Sequence, residues 1–386
     1  MSTRSALMTG CVLPLLGLAL LGLPARAAEE GARREMPVAA SQPVASETAE
    51  TKPRLDVGWL PFPDPARFGV LGLHWFDANK PKLWRVPADV FDSLPSGVKR
   101  QCRAPAGGRL LIKCNTSSLG LKVVPLSKGN SSGLDVYVNG RFFRSVAAEE
   151  PNTEVSLTLF TDLDRKEKEI VIYLPYRQEL MIRAIGVDKD TVFRTPEHEF
   201  AKPLPIVFYG SSVCQGSGAY KPGMSYEAIL GRALNVDFVN LGFGGAGKAE
   251  PNVVDLVNSI PACCYVFDLG KSYGMQDKAA FKRMLQTVRA SHPEVPIVCM
   301  TPITSVREMH SEEYSQRSLH TRAVMREAAG ELMQAGDRNV YLLEGPDLLG
   351  FDDHDGLSKD GVHPTDHGYT IIAGRLAPTL KRVLGL

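Results

Sequence analysis

Two short stretches of this chain carry residues suited to nucleophilic acyl transfer: Gly210-Ser211-Ser212, and much later Asp360-Gly361-Val362-His363. A carboxylate three residues before a histidine can hold the imidazole in one tautomer while the other ring nitrogen faces a serine. In that arrangement Ser212 is the nucleophile, His363 the general base and then acid, and Asp360 the orienting partner. Taken alone, each half has a plainer reading. Ser211 and Ser212 could cap the next helix, and Asp360 and His363 could be surface turn residues.

A third stretch, Asn240-Leu241-Gly242-Phe243-Gly244-Gly245-Ala246-Gly247, brings backbone N–H groups close to a ligand without side-chain obstruction. Gly242, Gly244 and Gly247 also match the dinucleotide fingerprint, with Asp268 ending the following strand. Two features oppose a nucleotide: the loop follows the second strand of its series, and Pro251 falls inside the helix that the fingerprint should open. No cofactor is expected. No cysteine pair has zinc-site spacing and the eight histidines are scattered, so no metal is expected either. Cys214 reads as a packing residue, and Lys248 and Glu250 as solvated residues at a helix start.

The elements that must position these groups change character along the chain. From residue 55 to 192 the pattern is alternating and β-rich: Leu134, Val136 and Val138 on one face, Val155, Leu157 and Leu159 likewise, with Ile170-Val171-Ile172-Tyr173-Leu174 and Met181-Ile182-Arg183-Ala184-Ile185 as further strands. Asn139-Gly140 is a strong hairpin signal. This region is expected to be an antiparallel sandwich. After Lys202-Pro203, short apolar runs at 206–209, 238–241, 265–267, 297–300 and 340–343 alternate with helical periodicity at 225–234, 251–258, 277–291, 312–334 and 366–383. That is a βα series, hence a parallel sheet with helices on both faces. Ligands of such sheets sit beyond the carboxyl ends of the strands. Ser212 follows the first strand, Gly245 the second, Ser272 the third, and Asp360 and His363 the fifth, so all converge on one edge.

Arg4, the apolar run Val12–Leu21 and Ala25-Arg26-Ala27 have the order of a secretory signal. A retained anchor is disfavoured by the shortness of the run and by Pro14 and Pro24. Cys11 precedes most of the apolar run, against lipidation. The expected organisation is a signal peptide at 1–27, a disordered tether at 28–54, a β-sandwich at 55–200 and an α/β domain at 201–386. The mature protein is thus expected to be periplasmic or secreted, without stable membrane insertion. Export permits disulfides, and Cys102 and Cys114 flank the turn-rich Ala104-Pro105-Ala106-Gly107-Gly108, which predicts a bridge between them. With 44 basic and 43 acidic side chains the net charge is +1. That balance gives no reason to expect nucleic acid or an anionic membrane, and favours a neutral or mixed substrate.

The blocks Gly210-Ser211-Ser212, Asn240-x-Gly242-x-x-Gly245 and Asp360-x-x-His363 resemble those of the SGNH (GDSL-like) hydrolase superfamily, whose members are esterases, lipases, thioesterases and carbohydrate deacetylases. Upstream, Gly133-Leu134-Asp135-Val136-Tyr137 resembles the Gly-x-Asp-Leu-Tyr motif of an N-terminal β-domain fused to one branch of them. No Gly-x-Ser-x-Gly elbow surrounds Ser212, which separates the chain from α/β-hydrolases. The resemblance implies a three-layer α/β/α, flavodoxin-like domain preceded by a jelly-roll-like sandwich. It also implies an oxyanion hole from the N–H groups of Ser212 and Gly245 and a third donor at Ser272, where the family has asparagine. Losing one such donor costs on the order of 2.7 to 4 kcal/mol in barrier. The function so implied is an exported serine esterase acting on a small-molecule or glycan ester, with carbohydrate O-deacetylation favoured. A lipase or thioesterase, or a degenerate glycan-binding hydrolase, are the alternatives.

Overall fold

The computed structural model describes residues 55–128, 132–270 and 277–386. The expected signal peptide, the tether and Ser272 lie outside the described residues.

The first half of the described chain forms two antiparallel sheets. Strands β1 (Gly58–Pro61), β2 (Gly69–Leu71), β3 (Arg109–Cys114), β4 (Leu119–Pro125), β5 (Leu134–Val138), β6 (Arg141–Val146), β7 (Val155–Phe160), β8 (Lys168–Tyr173), β9 (Leu180–Val187) and β10 (Phe193–Arg194) are arranged as β1-β9-β4-β7 and β10-β3-β8-β5-β6, with β2 added on β3. Alternate side chains point to opposite faces of a strand. Leu121, Val123, Ile182 and Ile185 of one sheet therefore meet Leu110, Ile112, Val136, Ile170 and Ile172 of the other in a single apolar core. The hairpin β5–β6 turns at Asn139 (φ 48°) and Gly140 (φ 74°). Both residues sit in the left-handed region that a two-residue hairpin turn requires, which is why Asn-Gly occupies it.

After β10 the pairing becomes parallel. Strands β11 (Ile206–Gly210), β12 (Phe238–Gly242), β13 (Cys264–Asp268), β14 (Ile297–Met300) and β15 (Val340–Leu343) are ordered β12-β11-β13-β14-β15. Side-chain alternation divides them between two cores. Val207, Tyr209, Tyr265, Phe267, Ile297 and Cys299 face the helices Pro251–Asn258, Lys278–Ser291 and Glu312–Gln334. Phe208, Val266, Val298 and Met300 face the helices Tyr226–Leu234 and Asp366–Leu384. A sheet covered on both faces explains why its strands read as continuous apolar runs. Among the described residues no helix is long and apolar enough to cross a membrane.

The β-sheets and the α/β layers share buried contacts. Val86, Leu94, Val98 and Cys102 join one α/β core, and Ala106, Tyr137, Tyr173 and Tyr176 join the other. Arg109 donates to the Asp237 carboxylate at 2.7 Å and to the Phe238 carbonyl at 2.9 Å. Asp135, fully buried, accepts the Gly223 N–H at 2.8 Å and the Ser145 hydroxyl. The aspartate of the Gly-x-Asp-x-Tyr stretch thus ties the β5–β6 sheet to the loop before helix Tyr226–Leu234.

The expected Cys102–Cys114 bridge is not formed; both thiols are free and buried. Cys102 is not on a strand. It ends the helix Ser96–Gln101 and packs into an α/β core, whereas Cys114 ends β3 inside the sandwich. The turn between them delivers the two side chains to different cores rather than opposite each other.

Glu227, in the first turn of helix Tyr226–Leu234, is completely buried. Burial, reinforced by the nearby Asp268 carboxylate, pushes its carboxyl up to about 8. A folded-state value above the unfolded one means that stability is fully present below the unfolded value and is lost as pH rises through the folded one. Glu227→Gln is expected to abolish that alkaline decline. Melting temperatures of both proteins between about pH 5 and pH 9 check this, and parallel curves would contradict it.

Candidate active site

Ser212 lies just beyond the carboxyl end of β11 and is 3 % exposed. The backbone there is held on both sides. Ser211 N–H donates to the Asp268 carbonyl at 3.1 Å, and Phe243 N–H to the Gly210 carbonyl at 2.9 Å. The segment after it is not yet helical. Residues 212–218 form an irregular set of turns, closed by Gln215 N–H to Ser211 O (3.0 Å), Gly216 N–H to Val213 O (3.0 Å) and Ser217 N–H to Ser212 O (2.9 Å). The helix begins only at Tyr226, and its capping serine is Ser225. Ser211 and Ser212 are therefore not helix caps. The Tyr369 hydroxyl, reaching from helix Asp366–Leu384, donates to the carbonyls of Val213 (3.0 Å) and Ser217 (2.8 Å) and braces the turn from below.

The Asp360–His363 loop meets this turn. Ser212 Oγ lies 2.8 Å from His363 Nε2, and His363 Nδ1 lies 2.6 Å from Asp360 Oδ2. A carboxylate can only accept from Nδ1, so the proton sits there and Nε2 is left to accept from the serine hydroxyl. The other carboxylate oxygen accepts the N–H groups of Val362 (2.9 Å) and His363 (3.0 Å) and the Ser358 hydroxyl (2.8 Å). The loop is pinned in turn by Ser358 N–H to the His363 carbonyl (2.7 Å) and Val306 N–H to the Gly361 carbonyl (2.9 Å).

Partial burial would raise the Asp360 carboxyl, but the hydrogen bonds from His363, Val362 and Ser358 outweigh it and hold the group well below the usual carboxylate range. Its stabilising effect is present above the unfolded value of about 3.9 and is lost as pH falls through the folded value. The stability difference between wild type and Asp360→Asn is expected to stay constant from neutral pH to about pH 4 and shrink below it. Urea midpoints across that range test this; a difference that grows on acidification would contradict it.

The glycine loop passes beside the serine. Gly245 (φ 76°) lines one cavity of about 430 Å³ with Ser212, His363 and Gly244, and among the described residues its N–H makes no internal hydrogen bond. Gly247 allows the close approach of the two loops, since a Cβ there would lie 2.2 Å from the Gly210 carbonyl oxygen. Three residues fix this loop, of which Gln215 and Arg85 were not singled out by sequence reasoning. Gln215 Oε1 accepts the Gly244 N–H at 2.6 Å. Asn240 donates to the Cys214 carbonyl (2.6 Å) while its Oδ1 accepts Gly242 N–H (2.8 Å). Arg85, 1 % exposed, donates to the carbonyls of Gly242 (2.6 Å), Asn240 (3.1 Å), Ala104 (2.8 Å) and Gln101 (2.8 Å). Burial lowers its guanidinium to about 10.

The remaining candidates sort themselves. Asp268 accepts from the buried Tyr226 hydroxyl at 3.2 Å, a structural role in place of the ribose contact that the fingerprint would require. Cys214 is fully buried, and burial pushes its thiol well above the ordinary value, so it presents no thiolate. Glu250 is not simply solvated: its carboxylate accepts Lys248 N–H at 2.8 Å and the Tyr209 hydroxyl at 3.3 Å.

A parallel five-stranded sheet between two helical layers, with serine, histidine and aspartate gathered at its carboxyl edge and no strand-turn-helix elbow, is the architecture of an SGNH-type hydrolase. Residues 203–381 match the GDSL-like lipase/acylhydrolase family, and residues 60–193 match the N-terminus of SGNH-type esterases. The chain belongs to the SGNH (GDSL-like) hydrolases, in the branch that carries the Gly-x-Asp-Leu-Tyr β-domain, and is an esterase of that class. None of the curated proteins matches it in sequence. Among solved structures it is similar to a protein described as a GDSL-like lipase from Bacteroides ovatus (24% identity, 86% of this chain and 98% of that one, TM-score 0.74). It is also similar to the salicylyl-acyltransferase SsfX3 of a tetracycline biosynthetic pathway (21% identity, 86% and 98%, TM-score 0.74). A third is a family two carbohydrate esterase from Clostridium thermocellum in complex with cellohexaose (18% identity, 72% and 93%, TM-score 0.57). At these identities the likeness is one of fold.

Proposed function

We propose that the protein is an exported serine esterase that removes acetyl groups from a carbohydrate, with Ser212 as nucleophile, His363 as proton carrier and Asp360 as its orienting partner. The observation that carries this reading is the unbroken hydrogen-bond chain from Asp360 through His363 to Ser212 Oγ. Ser212 Oγ attacks the ester carbonyl carbon while its proton passes to His363 Nε2. The carbonyl oxygen becomes an oxyanion, facing the N–H groups of Ser212 and Gly245. Collapse breaks the bond to the alkoxy oxygen, which takes the proton from His363 and leaves as the sugar hydroxyl. Water then gives one proton to His363 as its hydroxyl adds to the acetyl carbon; the bond to Ser212 Oγ breaks as the serine takes that proton from His363, and acetic acid leaves and ionises to acetate.

A glycan is favoured by the surroundings. His363 and Asp360 line a groove of about 990 Å³ together with Ser132, Ser145, Glu149, Lys221, Ser358 and Lys359, polar side chains drawn from both halves of the chain. A structural neighbour was solved with cellohexaose, and the apolar N-terminal run followed by Ala25-Arg26-Ala27 supports export. The test is acetate release from acetylated cello-oligosaccharides beside hydrolysis of p-nitrophenyl acetate and octanoate. The acetyl ester is expected to be favoured at least about tenfold. A preference for octanoate would overturn the deacetylase reading, and no hydrolysis of any ester would overturn the whole of it.

A further inference from the structure

We infer that the substrate carries an oxyanion, a carboxylate, phosphate or sulfate, close to the ester that is cleaved; this deepens the proposed esterase function and rests on it. The cavity that holds Ser212 and His363 is lined by three arginines, Arg100, Arg177 and Arg307, and by no aspartate or glutamate. They arrive from three unconnected segments: the helix Ser96–Gln101, the loop between β8 and β9, and the helix Arg307–His310. Among the described residues none of the three lies within ion-pair distance of a carboxylate.

Arginines close by are treated differently. Arg103 approaches Glu179 at 3.9 Å, Arg322 is bonded to Glu308 at 2.8 Å, and Arg109 to Asp237 at 2.7 Å. Each of these structural cations has its counter-charge. Of the cavity arginines, Arg177 donates to the Ser217 hydroxyl at 2.8 Å, and Arg307 stands 6.0 Å from the Tyr314 ring centroid. Neither contact supplies negative charge.

The three side chains are exposed, and single exposed arginines are ordinary solvated groups. Three of them converging on one cavity repel one another, and nothing in the fold of this nearly neutral chain requires the convergence. A bound anion removes that repulsion. A concave site of one sign also concentrates ligands of the opposite sign. Guanidinium groups suit the purpose, because their planar forks match the geometry of carboxylate and phosphate oxygens. Beside an esterase serine this describes an O-acetylated acidic sugar, with the acetyl group at Ser212 and the oxyanion toward the arginines.

The test uses three mono-O-acetylated methyl glycosides that differ only at C6: the glucuronide, the glucoside 6-phosphate and the neutral glucoside. The charged compounds are expected to show a kcat/KM about tenfold or more above the neutral one, mostly through KM. The ratio should shrink as salt is raised. Replacing Arg100, Arg177 or Arg307 by glutamine should reduce the charged-to-neutral ratio, and lysine at the same position should restore part of it. A larger ratio for the glucuronide or for the phosphate identifies which oxyanion is meant. Equal kcat/KM for all three compounds, or a ratio unmoved by every arginine replacement, would overturn the inference. Calorimetric binding of the same compounds to the Ser212→Ala protein reads the preference without turnover. Charge-selective binding without hydrolysis by wild type would sink the esterase mechanism and keep the anion site. Hydrolysis without charge selectivity would do the reverse.

Discussion

Ser212→Ala is expected to lower kcat for p-nitrophenyl acetate by at least about four orders of magnitude, leaving the fold intact. The serine hydroxyl is bonded to Nε2 of the His363 imidazole (2.8 Å), and removing one oxygen from a side chain that is 3 % exposed leaves the packing of the turn almost unchanged. Asp360→Asn should cost a comparable factor by a different route. An amide in place of the carboxylate can offer its N–H₂ to His363 Nδ1, which moves the ring proton to Nε2, where it can no longer accept from the serine. Because the two residues act on one proton path, the double variant should be little worse than the worse single one. Steady-state rates of the four proteins test this. Additive losses would show that the two side chains act independently.

The second large effect concerns Arg85. Its guanidinium binds four backbone carbonyls, two of them in the glycine loop beside Ser212, and stacks 4.8 Å from the Phe243 ring. Arg85→Met keeps much of the volume and takes the guanidinium away from four carbonyls, of which Ala104 still accepts the Ala106 N–H at 3.0 Å. At roughly 1 kcal/mol for each unsatisfied group, and after relief of the buried charge, the protein should lose about 3 kcal/mol. The loop that carries Gly244 and Gly245 would lose its register against the serine, so kcat should fall about a hundredfold in the fraction that remains folded. Arg85→Lys should rescue neither quantity, because a single ammonium cannot span the fork. Urea unfolding and initial rates decide the matter; a stable, fully active Arg85→Met protein would show that the loop is held by Gln215 and Asn240 alone.

Residues whose role is local were legible in the sequence. The five parallel strands and their helices announce themselves by apolar runs and helical period, and Asn139-Gly140 by the only turn that suits it. Asp360 and His363 could be paired because they stand three positions apart on one turn, and Ser212 because it follows a strand. Residues whose role depends on distant parts of the chain were not legible. Arg85 sits in an unremarkable Trp-Arg-Val stretch, and nothing near it shows that its partners are carbonyls of Asn240 and Gly242. Gln215 gives no hint of the Gly244 N–H. Cys102 and Cys114 looked opposed because the intervening turn was read as a hairpin, whereas Cys102 belongs to a helix packed on the other core. The capping role went to Ser225 because the chain makes an irregular turn first. Net charge is a whole-chain average, and a balance of +1 says nothing about three arginines brought together from residues 100, 177 and 307.

The most direct test of the serine mechanism is covalent trapping. A fluorophosphonate ester forms a stable phosphonyl bond with an activated serine, fluoride leaving as the hydroxyl proton passes to the base. Peptide mass spectrometry of the treated protein should place one adduct on Ser212, with esterase activity falling in step with labelling and no adduct in Ser212→Ala. Labelling at another serine, or full esterase activity retained after Ser212 is blocked, would contradict the assignment.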